Sequence, residues 1–401
     1  MVSMSRKTVL MIPPQFLPVP AVRGGAVEEL CTRLIEGNER APRFDIEVLS
    51  CRDERLDDSS YAHTRITQVS PNFADWVCSR IHNKVTYVTG RKRYLTPSDL
   101  WIMRKVLFGR YDVLLVENDM LICNRISRIR KRTRLVYHMH NGYDGSSKTP
   151  ELVRRIMPHV DSFVVISDYL KRIVMDAAVS DKVRVLPNAI DITRFRSEGD
   201  RTKERARLGI AADDVVFVYS GRITREKGVR ELIEAYVGFA DAASQQTKLL
   251  IVGKSWFGNT SVADSYVDTL KTMCEGRDDI IFTGFVQPAD MPKVLSAADV
   301  AVIPSRWEEP FGLVVLEAMA ANLLIIATRS GAISEIVSDE SALLVDNDDE
   351  TIVADLRAAM RRSLDGDIRQ SKTNAARRIL DESPDYDVSN YFDNFCRKAL
   401  R

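Results

Sequence analysis

The sequence predicts an α/β protein built from two parallel-sheet domains. Three observations carry that prediction. Short, wholly apolar runs such as Val300-Ala301-Val302-Ile303 recur and are closed by Pro or Gly, the pattern of strands buried on both faces. Segments of helix formers follow most of these runs, and such alternation builds a parallel sheet. The chain of 401 residues leaves room for two sizeable domains.

In the first half, Thr8-Val9-Leu10-Met11-Ile12 reads as the opening strand. A proline-rich loop leads to Arg23-Gly24-Gly25-Ala26 and a helix with Val27, Leu30 and Leu34 on one face. Gly24 and Gly25, between strand and helix, let backbone approach a ligand closely, with a plain tight turn as the alternative. The pair lacks Gly-x-Gly-x-x-Gly spacing, which disfavours a dinucleotide-binding domain. Further strands are readable at 46–49, 66–69, 113–116, 135–137 and 163–166. Residues 73–108 are rich in aromatics and bases, and read either as two core-facing helices or as a membrane-leaning, acceptor-side surface. His138 and His140 fall on the same side of an extended chain. Two histidines so spaced can bind a metal, but no acidic or Cys partner lies near them in sequence, and no metal site is expected. Glu117-Asn118, ending the preceding strand, is a second candidate for the same region. Ser167 suits a helix N-cap, and a short capped helix over 202–208 ends at Gly209. The domain hinge is expected just ahead of it.

In the second half, the strand at 215–219 runs into Ser220-Gly221-Arg222-Ile223-Thr224-Arg225-Glu226-Lys227-Gly228. Arg222 and Lys227 are cations beside the start of a helix. A pyrophosphate suits them, Arg as a bidentate donor and Lys as a point charge; a solvated loop is the alternative. Strands follow at 249–253, 281–286 and 323–328. After the run at 300–303, Pro310 fits a first helical turn, where its missing N–H costs nothing. Glu309 lies just ahead of that helix and Glu317 lies inside it. Each has a plain reading: Glu309 as a charge favouring the helix dipole, Glu317 as a solvent-facing residue. Taken together they form a cup for a polyol attached to an anion. The amides of Phe311, Gly312 and Leu313 hold the phosphate, Glu309 takes sugar hydroxyls, and Glu317 takes a ribose.

The frame Pro304-Ser305-x-x-x-Glu309-Pro310-Phe311-Gly312-Leu313-x-x-Leu316-Glu317-Ala318-Met319-Ala320 resembles the signature of family-four glycosyltransferases. Gly221-Arg222-x-x-x-x-Lys227-Gly228 is similar to that family's donor-phosphate motif, and residues 17–26 resemble its spore-coat-associated and exopolysaccharide members. The Trp256-Phe257-Gly258 segment is similar to the exopolysaccharide subgroup too. The resemblance implies a GT-B fold, two Rossmann-like domains facing a cleft, and a C-terminal helix crossing back. It places an acceptor domain at 1–200, a donor domain at 201–382 and the returning helix at 383–401. It further implies transfer of a hexosyl or related sugar with retention and without metal, from a UDP-linked nucleotide-sugar as co-substrate. Under it, Gly24 and Gly25 lie near the donor phosphates and the acceptor, His140 lies near the reacting carbon, with a satisfied structural histidine as the alternative, and backbone at Phe285 meets the base. His140, Arg222, Lys227 and Glu309 are then the catalytic set. Three places depart from the family pattern, one of them Asn322-Leu323-Leu324, where Gly-x-Pro is usual. Ala189 stands where Gly is usual, so its turn must avoid positive φ, and Ala332 should narrow backbone access near the phosphates. The same architecture serves nucleotide-sugar epimerases and phosphorylases; a non-catalytic binder is disfavoured by the intact set of Arg222, Lys227, Glu309 and Glu317.

Charge is unevenly divided. Residues 1–208 carry a net +11 and the remainder −10. Arg91-Lys92-Arg93 and the run from Arg125 to Arg134 supply much of the excess, either as a solvated face or as a patch for anionic headgroups or a phosphate-bearing acceptor. A cell-surface glycan or lipid-linked molecule is the expected acceptor. Nucleic acid is disfavoured, since no recognition motif accompanies the charge. No apolar run approaches the roughly 20 residues of a membrane span. Six scattered cysteines without Cys-x-x-Cys spacing predict reduced thiols in a cytoplasmic protein, and the basic excess of the first half predicts peripheral contact with the inner membrane face.

Overall fold

A computed structural model describes residues 6–57, 59–88, 94–142, 148–197, 200–243, 245–255 and 264–400. The Arg91-Lys92-Arg93 cluster and Trp256-Phe257-Gly258 lie outside the described residues. The chain divides into two compact units, one of Met1–Leu186 with Tyr391–Arg401, the other of Pro187–Asn390.

The first unit holds β1 (Lys7–Ile12), β2 (Phe44–Ser50), β3 (Thr64–Gln68), β4 (Val113–Glu117), β5 (Arg134–Met139), β6 (Ser162–Val165) and β7 (Val183–Val185). These strands pair in the order β3-β2-β1-β4-β5-β6-β7, all parallel. Every residue of β4 is buried, as a central strand covered on both faces requires. Helix α1 (Ala26–Arg40) follows β1, and α2 (Phe73–Val88) and α3 (Pro97–Phe108) lie between β3 and β4. The start of α3 is fixed by a capping box of Thr96 and Asp99.

The second unit holds β8 (Val215–Ser220), β9 (Thr247–Val252), β10 (Ile280–Gly284), β11 (Val300–Ile303), β12 (Leu324–Thr328) and β13 (Leu343–Val345). Their order is β10-β9-β8-β11-β12-β13, again all parallel. Helix α4 (Val229–Ala240) follows β8 and α5 (Leu313–Ala320) follows β11. In each unit the first strand has neighbours on both sides, so the connections leave it in opposite directions. Ligands in such sheets bind at this switch point, beyond the strands' carboxyl ends. The loops concerned carry Gly24 and Gly25 after β1, Glu117 at the end of β4, Arg222 and Lys227 after β8, and Glu309 after β11.

The last helix, α6 (Val388–Ala399), belongs to the first unit from Tyr391 onward. Its Tyr391, Phe392 and Phe395 are buried. A Cβ at Gly37 of α1 would lie 2.4 Å from the Phe392 Cβ, so α1 admits this helix only with glycine there.

Two expectations are corrected here. Helix α2 is not core-facing: its buried residues are Asp75, Ser79 and Thr86, while Phe73, Trp76 and Ile81 are exposed. The basic run at 125–134 is only partly a solvated face. Arg125 pairs with Asp99 at 2.8 Å, Arg130 donates to the His159 carbonyl at 2.6 Å, and Arg134 to the Ala399 carbonyl at 3.5 Å. Arg128, Lys131 and Arg132 are the exposed members.

Candidate active site

The second unit's site begins where β8 ends. The buried Tyr219 hydroxyl donates to the Arg222 carbonyl at 2.5 Å and fixes the turn that carries the half-buried Arg222 side chain. A 3-10 turn over Arg225–Lys227 then meets Gly228, at φ 69°. A Cβ at Gly228 would sit 1.9 Å from the Pro304 carbonyl oxygen, so glycine alone lets this loop close on the loop after β11. The two loops are tied by the Glu226 carbonyl, which accepts from Arg306 N–H at 2.9 Å and Trp307 N–H at 3.3 Å.

That closure places Lys227 Nζ 2.5 Å from Glu309 Oε1 and 5.1 Å above the Trp307 ring. The Ser305 hydroxyl donates to the same carboxylate oxygen, and the Ser305 carbonyl accepts from Thr328 Oγ1 at 2.7 Å. The Glu309 carbonyl accepts from Ala332 N–H at 2.8 Å, while a Cβ at Gly331 would be 2.2 Å from that carbonyl oxygen. Ala332 therefore braces the Glu309 loop, and the close approach belongs to Gly331. Ala189, for its part, is absent from the positive-φ residues, as its side chain requires.

Helix α5 starts at Gly312, at φ 105°. The first amides of any helix lack intrahelical acceptors, and Phe311, Gly312 and Leu313 bring them next to Glu309. Phe311 is buried, its ring 6.1 Å from that of Tyr386. Glu317 is half-buried, and among the described residues its carboxyl has no hydrogen-bond or ion partner; burial pushes it up to about 7. Phe285 follows the edge strand β10, with Lys254 Nζ 5.0 Å over its ring.

Gly24, Gly25 and His140 belong to the first unit. Gly25 stands at φ 111° as the N-cap of α1, and a Cβ there would meet Glu28 Oε2 at 2.2 Å. His140 is buried just past β5. Its Nε2 lies 2.7 Å from Glu117 Oε2, and His138 Nδ1 lies 3.0 Å from the same oxygen. Asn118, at φ 54°, accepts from the His140 and Asn141 amides at 3.0 and 3.1 Å. Glu117 is thus the acidic partner that seemed missing around the histidines. Register supplies it, since Glu117 of β4 lies opposite His138 of β5.

The donor atoms of Glu117, His138 and His140 lie within 4.8 Å of one another, a set that could hold a metal ion. The 2.7 Å between His140 and Glu117 is a hydrogen bond, while His138 Nδ1 comes within 3.0 Å of the same oxygen without forming one. Tetrahedral zinc, with ligands about 2.0–2.2 Å from the metal, would hold donor atoms about 3.3 Å apart. As it stands, the carboxylate is hydrogen-bonded by His140, with the His138 ring close beside it.

This proximity has a pH consequence. Both imidazoles hold Glu117 down at about 2, against the desolvation that would raise it, and burial lowers His140 to about 4. Below about 6.5 an unfolded histidine takes a proton that the folded His140 refuses until about 4, so stability falls across that window. The Glu117 contribution, present above about 4.5, is lost as pH falls further towards 2. Thermal unfolding should therefore show a steep loss between pH 6.5 and 4 that His140→Gln flattens. Parallel curves for the two proteins would remove His140 from the acid response.

Comparison with known proteins agrees with this architecture. A model of group 1 glycosyl transferases matches residues 200–378, and one of glycosyltransferase family 4 matches 27–194. Spore coat protein SA of Bacillus subtilis is 27% identical over 351 residues, 82% of this chain and 83% of that protein. The lipopolysaccharide 1,2-N-acetylglucosaminetransferase of Salmonella typhimurium is 30% identical over 240 residues, 59% of this chain and 60% of that one. The structure of Anabaena HepE in complex with UDP-glucose superposes with a TM-score of 0.73 at 20% identity, covering 98% of this chain and 99% of that one. With both units matched, the chain belongs to the family-four glycosyltransferases and has their GT-B fold.

Proposed function

We propose that this glycosyltransferase moves a hexosyl or related sugar from a UDP-linked donor to a cell-surface glycan or lipid-linked acceptor, with retention and without a metal ion. The observation that carries the reading is the meeting of Lys227, Glu309 and the open start of α5 at one switch point, 2.5 Å separating the two charged groups. Negative charge grows on the leaving pyrophosphate as the glycosidic bond breaks. Lys227, Arg222 and the first-turn amides are fixed before the reaction and oppose that charge without reorganising. Glu309, braced through its own backbone, takes sugar hydroxyls, and Glu317 takes the ribose. Backbone at Phe285 meets the base. In the first unit, His140, oriented by Glu117, serves near the reacting carbon, and Gly24 and Gly25 let backbone come close to the phosphates. The Salmonella relative's use as an N-acetylglucosaminetransferase and the UDP-glucose held by the Anabaena protein fit such a donor.

The test is UDP release from UDP-glucose or UDP-N-acetylglucosamine by the purified protein. Release should rise when a glycan or lipid-linked acceptor is added and should not rise with inorganic phosphate. Release driven by phosphate would make the protein a phosphorylase, and C2 epimerisation of the sugar with no acceptor would make it an epimerase. No turnover of any nucleotide-sugar would leave a binder.

A further inference from the structure

Helix α2 is amphipathic in the reverse sense. Its buried side is polar: Asp75 is gripped by Arg104 at 2.8 and 3.1 Å, and Asn83 exchanges hydrogen bonds with the Leu95 backbone at 2.8 and 2.9 Å. These bonds fix the helix's rotation, so its outward side is not a matter of chance. That side carries Phe73, Val77, Ile81, Val85 and Val88, at steps of three and four residues, with Trp76 beside Val77. Phe73 is 82% exposed, Trp76 54% and Ile81 59%. Leu107 and Phe108, at the end of neighbouring α3, are exposed as well. Soluble monomers rarely leave so continuous an apolar face in water.

We propose that this face of α2 docks onto a bilayer surface containing anionic lipid, a step that rests on the lipid-linked side of the function proposed above. Charge complementarity selects the occupant. Arg80 and Lys84 lie within the apolar stripe, are exposed, and have no ion partner among the described residues. The one carboxylate of α2, Asp75, is on the buried side and already paired. An apolar outer face interleaved with cations is how a helix lies in the headgroup region, its rings and aliphatic chains among acyl chains and its cations on phosphates. A second copy of the chain fits less well. A two-fold contact sets the same patch against itself, bringing Arg80 and Lys84 towards their own copies. The proposal also differs from attachment by basic residues alone, which salt abolishes. Here the apolar part should survive screening.

The test is co-sedimentation of the full chain with phosphatidylcholine vesicles, with and without phosphatidylglycerol. The protein should pellet with phosphatidylglycerol vesicles at 0.1 M salt, keep a measurable bound fraction at 0.5 M, and bind pure phosphatidylcholine weakly. Trp76→Ser/Ile81→Ser should lower binding at least tenfold while UDP affinity, read on the same samples, stays at the wild-type value. Wild-type protein left in the supernatant with phosphatidylglycerol vesicles overturns the proposal, as does a double variant that pellets like wild type. A dimer in light scattering that the double variant abolishes also overturns it, in favour of self-association. Vesicle binding without UDP release from any UDP-sugar would leave docking in place and remove the transfer reaction. UDP release without vesicle binding would do the reverse.

Discussion

Replacing Lys227 by alanine is expected to weaken UDP and UDP-sugars by the same factor, about 10- to 100-fold, because a hydrogen bond to a charged group is worth about 1.5–3 kcal/mol. The pyrophosphate is common to both ligands, and Lys227 is the cation that the closed loops deliver to it. The substitution should also lower stability. It strands Glu309, which is 7% exposed and whose Oε1 now has Lys227 at 2.5 Å. Breaking a buried pair from one side costs about 3–5 kcal/mol, more than the pair itself contributes. Glu309→Gln separates the two partners' roles. It frees Lys227 for phosphate, so UDP should bind at least as tightly as to wild type, while the extra affinity of a UDP-sugar over UDP disappears. Calorimetric titration of both ligands into both variants measures this. Loss of UDP-sugar binding with UDP untouched in Lys227→Ala would contradict the assignment.

Glu317→Gln is expected to do two opposite things. Its carboxyl, raised to about 7 by burial, is half protonated near neutrality. A ribose hydroxyl is better accepted by the ionised form, so wild-type UDP affinity should rise as pH goes from 6 to 8. The glutamine variant should lack that rise and bind about 10- to 100-fold more weakly at pH 8, where about 1.5–3 kcal/mol of a charged hydrogen bond is missing. Stability should move the other way. The folded carboxyl holds a proton that the unfolded one releases near 4.5, so wild-type stability falls as pH climbs from 4.5 to 7 and stays reduced above it. Glutamine removes that loss, a gain of about 1 kcal/mol or more, since one pKa unit corresponds to about 1.4 kcal/mol. A binding site kept at a cost in stability shows this signature. Wild-type UDP affinity in the variant at pH 8 would take Glu317 out of the site.

Much of the second unit was legible because its signals are local. The wholly apolar run at 300–303 is β11, and the motif after it sits between strand and helix. The spacing of Lys227 and Glu309 could not show that they meet. That depends on Gly228 lying against Pro304 and on two amides sharing the Glu226 carbonyl, contacts across about eighty residues of chain. The Glu117–His138–His140 group was hidden for the same reason: parallel register brings Glu117 beside histidines more than twenty residues away. For α2 the richness in aromatics and bases was visible and left a core-facing helix or an outward surface open. Which side faces inward is decided by Arg104 and Leu95, partners outside the helix. The outward-facing Arg128, Lys131 and Arg132 likewise became distinguishable from Arg125 and Arg130 only when the latter's acceptors were in place.

The central claim is that a nucleotide diphosphate is gripped by the loops after β8 and β11. Hydrogen exchange of the full chain, with and without saturating UDP, tests it most directly. Slowed exchange is predicted at residues 222–228 and 309–317, with Lys227→Ala losing the effect at both segments. Protection that falls on other loops of the sheet while these two segments exchange at unliganded rates would contradict the account.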